Sequence, residues 1–152
     1  MPSIKITLPR NRANPGTLSV LDAAGREQLT VPCLGKAAGE IATKAGNPSR
    51  NPLKRRGDTP LGTYLAHVGA AAFGRYMKSY GLGWIPIDPI GGDAQKAEDA
   101  GRTGLAIHGG RGNGPKLIPT AGCVRVGDAD FAKISAALRG AKGFQVEIVE
   151  GA

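Results

Sequence analysis

The sequence predicts one mostly β domain with one or two short helices. Three observations predict it. Several stretches alternate apolar and polar residues with the two-residue period of a strand. Glycine (24 residues) and proline (11) are abundant, so the chain turns often. Aromatic residues make up only 5%, which leaves Val, Ile, Leu and Ala to build the core. A length of 152 residues suits one domain spanning 1–152 and is short for two.

The elements follow in order. Ile4, Ile6 and Leu8 alternate with Lys5 and Thr7, predicting a first strand. Thr17–Asp22 and Glu27–Leu34 flank Asp22-Ala23-Ala24-Gly25, a hairpin loop with glycine at a left-handed position. Residues 35–60, rich in Gly, Asn, Pro, Lys and Arg, read as an exposed loop. Leu61–Val68 reads as a strand after the turn at Asp58-Thr59-Pro60. Gly81, Gly83, Pro86, Pro89, Gly91 and Gly92 break up 69–102, where Asp93–Ala100 suits a short helix. Thr103–His108 suits a buried strand. Asp128 is placed to cap a helix over Ala129–Arg139, with Phe131, Ile134 and Leu138 on one face and Arg139-Gly140 as its stop. Phe144, Val146 and Ile148 alternate with Gln145 and Glu147 in a last strand.

The net charge of +8 fits either an ordinary basic surface or a polyanionic partner such as nucleic acid, an anionic membrane or an acidic wall polymer. Sparse aromatics and the lack of a basic helical run speak against nucleic acid. Two cysteines, Cys33 and Cys123, are no disulfide framework. Without a CxxC, and with His67 and His108 far apart, no metal and no cofactor is expected. The N-terminus lacks the apolar core of a secretory signal, and no stretch has the length of a membrane span. The chain as written is therefore expected to be made in the cytoplasm, with no membrane insertion.

Cys123 is the leading candidate for chemistry. It follows Thr120-Ala121-Gly122 and precedes Val124-Arg125-Val126. Gly122 permits a tight turn whose amides can face a developing oxyanion. Arg125 brings positive charge that favours a thiolate, whose free-thiol pKa is about 8.5. His108 ends an apolar run and precedes Gly109-Gly110, so its ring can reach a cleft from an anchored backbone. The turn-rich segment from Arg111 to Lys116 allows imidazole and thiol to meet as a Cys–His pair, and suits substrate contact.

The string His108-Gly109-Gly110 … Thr120-Ala121-Gly122-Cys123-Val124-Arg125 resembles the signature of L,D-transpeptidase catalytic domains, a His-Gly followed by Ser/Thr-x-Gly-Cys-x-Arg. Thr59-Pro60-Leu61-Gly62-Thr63-Tyr64 resembles that family's Thr-Pro-x-Gly-Thr-aromatic segment, and Gly143–Val149 its terminal strand. Ala121 departs from the pattern, since many members carry a second histidine before Gly-Cys.

The resemblance implies a β-sandwich-like fold and a two-step acyl transfer on peptidoglycan stem peptides. Cys123 would attack the diaminopimelate–D-alanine carbonyl, and His108 would take the thiol proton. The Gly109 carbonyl would orient the ring, and the amides of Gly122 and Cys123 would hold the oxyanion. Thr120, Tyr64 and Trp84 are candidate substrate-binding residues, and Arg125 is expected either to meet a substrate carboxylate or to hold the site's geometry. An amine acceptor gives a 3→3 cross-link or D-amino-acid exchange, and water gives an L,D-carboxypeptidase. The expected site of action is the periplasm or cell wall. Two alternatives stay open: an exported antibacterial effector of the same fold, with a secretion system or immunity protein as partner, and an inactive basic binding module.

Other residues read as structural: His67 as an exposed or structural histidine, Cys33 as a packed thiol, and Trp84 with Tyr80 as a core patch or a groove wall. Lys54-Arg55-Arg56 reads as a solvated turn. Asp128 and Asp130 read as capping or structural residues.

Overall fold

A computed structural model describes residues 1–67, 70, 71, 80–110, 117–138, 141 and 143–151. The two chain ends lie side by side. Strand β1 (Ser3–Leu8) pairs in parallel with β9 (Phe144–Glu150), setting Ile4 against Val146 and Ile6 against Ile148. All four side chains are buried. The alternation seen in sequence is thus the inward face of the pleat.

β1 also pairs with β2 (Gly16–Leu21), and β2 with β3 (Glu27–Cys33), both antiparallel. The hairpin loop between β2 and β3 forms where expected: Gly25 sits at φ 83, and the Asp22 carboxylate accepts from the amides of Ala24 and Arg26. On the other side β9 pairs with β4 (Gly62–Ala66), which continues to β6 (Gly83–Gly91), β7 (Ala106–His108) and β8 (Val124–Arg125). The short β5 (Ala70–Ala71) pairs with β6 off this path.

The mainly β reading holds, and the sandwich takes a particular form: one sheet curled into a near-barrel. Its far strands approach each other, because Leu34, just past β3, exchanges two backbone hydrogen bonds of 2.9 Å with Arg125 in β8. Ile6, Leu18, Ile87, Ile107, Val124 and Ile148 fill the interior.

Three helices occur among the described residues: α1 (Gly39–Lys44), α2 (Gly92–Asp99) and α3 (Asp128–Ala137). α2 and α3 match the expected helices to within a residue or two. α3 buries Phe131 and Ile134, and Leu138 at its C-cap, as the spacing predicts. Its N-cap, however, is Gly127, and Asp128 is the first helical residue rather than the cap. Val68, the Arg111–Lys116 segment and the Arg139-Gly140 stop lie outside the described residues.

Two expectations are corrected. The 35–60 stretch contains α1 and is held by buried polar groups. The Asp58 carboxylate accepts from the Ala37 amide at 2.8 Å and meets Arg50 at 3.2 Å, while Asn47 bonds the backbone of Asn51 and Arg55. Much of the stretch is exposed as expected, but its polar residues also supply internal hydrogen bonds. The second correction is β6, a nine-residue strand through a segment that looked broken. Pro86 is tolerated because its missing N–H falls opposite His67, just past the end of β4. Pro89 lies beyond the part of β6 that pairs with β7.

Candidate active site

The short parallel pair β7–β8 sets the geometry. Ile107 aligns with Val124 and His108 with Arg125. Ile107 and Val124 point into the core. Since side chains alternate along a strand, His108, Arg125 and Cys123 take the opposite face. There they line one cavity of about 620 Å³.

His108 is fixed on several sides. Its Nδ1 lies 2.6 Å from the Gly109 carbonyl oxygen. A carbonyl only accepts, so Nδ1 carries the proton and Nε2 is left with its lone pair. Tyr80 meets the ring edge-on, with centroids 4.8 Å apart at 79°, and Trp84 packs against Tyr80 in turn. The turn after the ring is clamped: the Gly110 amide donates to Asp128 Oδ1 at 2.7 Å, and Arg125 Nη1 donates to the Gly110 carbonyl at 3.3 Å. A β-carbon at Gly109 would lie 2.4 Å from Asp128 Oδ1, so only glycine fits.

The Cys123 turn is equally constrained. Thr120 Oγ1 accepts from the Gly122 amide at 2.9 Å and donates to the Cys123 carbonyl at 2.8 Å. Thr59 Oγ1 donates to the Gly122 carbonyl at 2.7 Å. Gly122 holds φ 121, and a β-carbon there would meet Arg102 at 2.1 Å. Thr120 is also tied to the segment before α1, its carbonyl accepting from the Ala38 amide at 2.7 Å. The thiol leans toward the Gly104 carbonyl, 3.8 Å away.

Burial dominates the electrostatics. It lowers the His108 pKa from 6.5 to about 4; the bond to Gly109 opposes this and Arg125 adds to it. Burial likewise raises the Cys123 pKa, while the Ala106 amide, Arg102, Arg125 and Arg56 pull it down. Arg125 does favour the thiolate, as its position in sequence suggested, but desolvation is the larger effect. Both shifts favour a neutral thiol beside a neutral imidazole. Cys33 is fully buried with its pKa pushed up to about 12, as a packed thiol should be. Both cysteines are free.

Several residues expected to bind substrate sit elsewhere or are otherwise engaged. Tyr64 is 0% exposed in the core, and its hydroxyl donates to the Pro60 carbonyl at 2.6 Å. An aromatic residue on an inward strand position packs the interior. Trp84 is half-buried behind Tyr80 and is not among the described residues lining the cavity. Thr120 borders the cavity, but its hydroxyl is spent inside the turn. That bond also occupies the Gly122 amide, one of the two expected oxyanion donors. Arg125 is 4% exposed and bonds Gly110, which makes it a brace for the His108 turn. His67 is exposed and lies 2.6 Å from the Asp88 carboxylate.

Three residues of this neighbourhood escaped the sequence reading of the site, Asp128, Thr59 and Arg102, whereas Tyr80, read with Trp84 as a core patch or a groove wall, lines the cavity. Only Thr59 carried a signal, through the Thr-Pro-x-Gly-Thr segment. Its hydroxyl bond to Gly122 gives that segment a physical purpose at the cysteine turn.

No protein-family model matches the chain, and no curated protein matches it in sequence. Solved structures match in fold. Bd1075 of Bdellovibrio bacteriovorus superposes with a TM-score of 0.62 at 15% identity, over 95% of this chain and 47% of that one. The helical cell shape determining protein Pgp2 of Campylobacter jejuni gives 0.60 at 15% identity, over 99% and 49%. The L,D-transpeptidase of Xylanimonas cellulosilytica (residues 123–326) gives 0.51 at 15%, over 96% and 60%. The chain spans about half the length of the first two. These likenesses establish the fold: a mainly β near-barrel shared with L,D-transpeptidase domains. No helix among the described residues is long and apolar enough to cross a membrane.

Proposed function

We propose, on a fold shared with L,D-transpeptidase domains, that this chain is a cysteine acyltransferase acting on peptidoglycan stem peptides. One observation carries the reading. His108 and Cys123 share one face of the β7–β8 pair and one cavity, with the ring tautomer set by Gly109 so that Nε2 is the acceptor.

In this reading His108 Nε2 takes the thiol proton as Sγ bonds to the scissile carbonyl carbon. The Cys123 amide meets the resulting oxyanion; the Gly122 amide joins only by leaving Thr120. The intermediate collapses to a thioester, and the departing D-alanine amine takes the proton back from the imidazolium. The amine of a second stem attacking the thioester gives a 3→3 cross-link, that of a free D-amino acid gives exchange, and water gives L,D-carboxypeptidation; in each case His108 takes the acceptor's proton and returns it to the departing Cys123 thiolate. A neutral resting pair suits this sequence, because the ring gains charge only as the oxyanion forms. In this reading residues 1–152 form one catalytic domain that uses no cofactor and acts at the cell wall.

The test is incubation with tetrapeptide-bearing muropeptides and mass spectrometry of the products. The expected result is loss of terminal D-alanine with a transient Cys123 adduct, abolished in Cys123→Ala. Unchanged muropeptides, or equal turnover by that variant, would defeat the reading.

A further inference from the structure

Lys54-Arg55-Arg56 forms the exposed turn that the sequence predicts, and from it Arg55 and Arg56 line the same cavity as Cys123. The turn is built, not loose. The Lys54 amide donates to the Asn51 carbonyl at 3.1 Å, and the Gly57 amide to the Lys54 carbonyl at 3.2 Å. Buried Asn47 donates to the carbonyls of Asn51 (2.9 Å) and Arg55 (3.2 Å). Arg102, 4% exposed, donates to the carbonyls of Pro52, Gly57 and Asp58 at 2.6–2.9 Å. Arg56 is held at φ 62, a left-handed conformation that a residue with a β-carbon adopts at a cost.

None of the ion pairs among the described residues involves Arg55 or Arg56. No Asp or Glu is among the described residues lining the cavity. Another wall is apolar, with Ile41 and Ile118 40% and 46% exposed. A ligand fitting both walls carries an aliphatic group and an anion. The planar guanidinium fork matches a carboxylate in two-point contact.

We propose that Arg55 and Arg56 form a carboxylate-binding wall of the Cys123 cavity, selecting substrates with a free carboxylate close to the reacting carbonyl. That the carboxylate belongs to a stem peptide rests on the function proposed above. It sits either at the peptide's C-terminus or on a residue beside the attacked bond.

The test compares alkylation of Cys123 by iodoacetate and by iodoacetamide, followed by peptide mass mapping. The ratio of the two rates cancels any change in thiolate fraction, because both reagents consume the same thiolate. Arg55→Gln/Arg56→Gln is expected to lower the iodoacetate-to-iodoacetamide ratio about tenfold, equivalent to about 1.4 kcal/mol. An unchanged ratio overturns the proposal. Should that variant fail to fold by circular dichroism, Arg55→Gln/Arg56→Gly replaces it, since glycine suits φ 62. Tetrapeptides with a free or amidated C-terminus, and with a free or amidated neighbouring carboxylate, then locate the contact. On the correct arm, amidation raises KM for the native chain and not for the variant. A lowered ratio with no peptide turnover keeps the wall and removes the proposed function. Turnover with an unmoved ratio and unmoved KM does the reverse.

Discussion

Asp128→Ala removes the acceptor of the Gly110 amide, a 2.7 Å bond beside the His108 turn. Gly110 is buried, so its N–H is left without a partner, at a cost of about 1–3 kcal/mol. The same carboxylate lies in the first turn of α3, where a negative charge contributes about 0.3–1 kcal/mol against the helix dipole. Together the loss comes to about 1.3–4 kcal/mol, a melting temperature lower by roughly 3–16 °C for a chain of this size. Asp128→Asn keeps an oxygen for Gly110 and gives up only charge, so about 1 kcal/mol or less is expected. Thermal melts followed by circular dichroism, run side by side on the three proteins, decide the matter. An alanine variant melting within about 2 °C of the native chain, or equal losses for alanine and asparagine, would refute this account of the clamp.

Further consequences concern the same neighbourhood. Thr59→Val keeps shape but strands the buried Gly122 carbonyl, and should cost about 1–3 kcal/mol in urea denaturation. Tyr64→Phe should cost about 1 kcal/mol through the lost bond to Pro60 and leave KM unchanged, as befits a core residue. Because burial holds the Cys123 thiol above its ordinary pKa, iodoacetamide alkylation should still be rising with pH beyond about 8.5; a plateau near neutrality would refute the neutral resting pair. His108 has its folded pKa lowered from 6.5 to about 4. Its contribution to stability is therefore complete above 6.5 and is lost as pH falls toward 4, and His108→Gln should flatten the stability profile across that window.

Much of the fold was legible because strands with one buried face write their period into the chain. β1, β2, β3 and β9 appear in sequence almost to the residue. β6 did not, since glycine and proline normally interrupt strands. What rescues it, a missing N–H placed past the end of a neighbouring strand, depends on register and cannot be read locally. α1 was hidden for a related reason: the groups that hold 35–60, such as Asp58 and Asn47, look like surface residues until their partners are known. At the site, the local string from Thr120 to Arg125 and the His-Gly pair were visible, and His108 and Cys123 do share one cavity. The roles of Thr120 and Tyr64 were not, because a hydroxyl spent on a turn or on a core carbonyl has the same letter as one facing substrate. Asp128 resembled a helix cap in sequence, and only the crossing of α3 beside Gly110 reveals its acceptor role.

The closure between Leu34 and Arg125 has a consequence for how the chain can fail. Two amide links there join the early part of the chain to the segment carrying the nucleophile. Parting them would open the near-barrel beside Cys123, whose turn stays tied to β7, Thr59 and Ala38, while the long β1–β2–β3 and β1–β9 ladders remain intact. The site can therefore loosen in a transient opening that leaves most of the protein folded, and deuterium uptake at Leu34 and Arg125 should outpace uptake at Ile6 and Ile148.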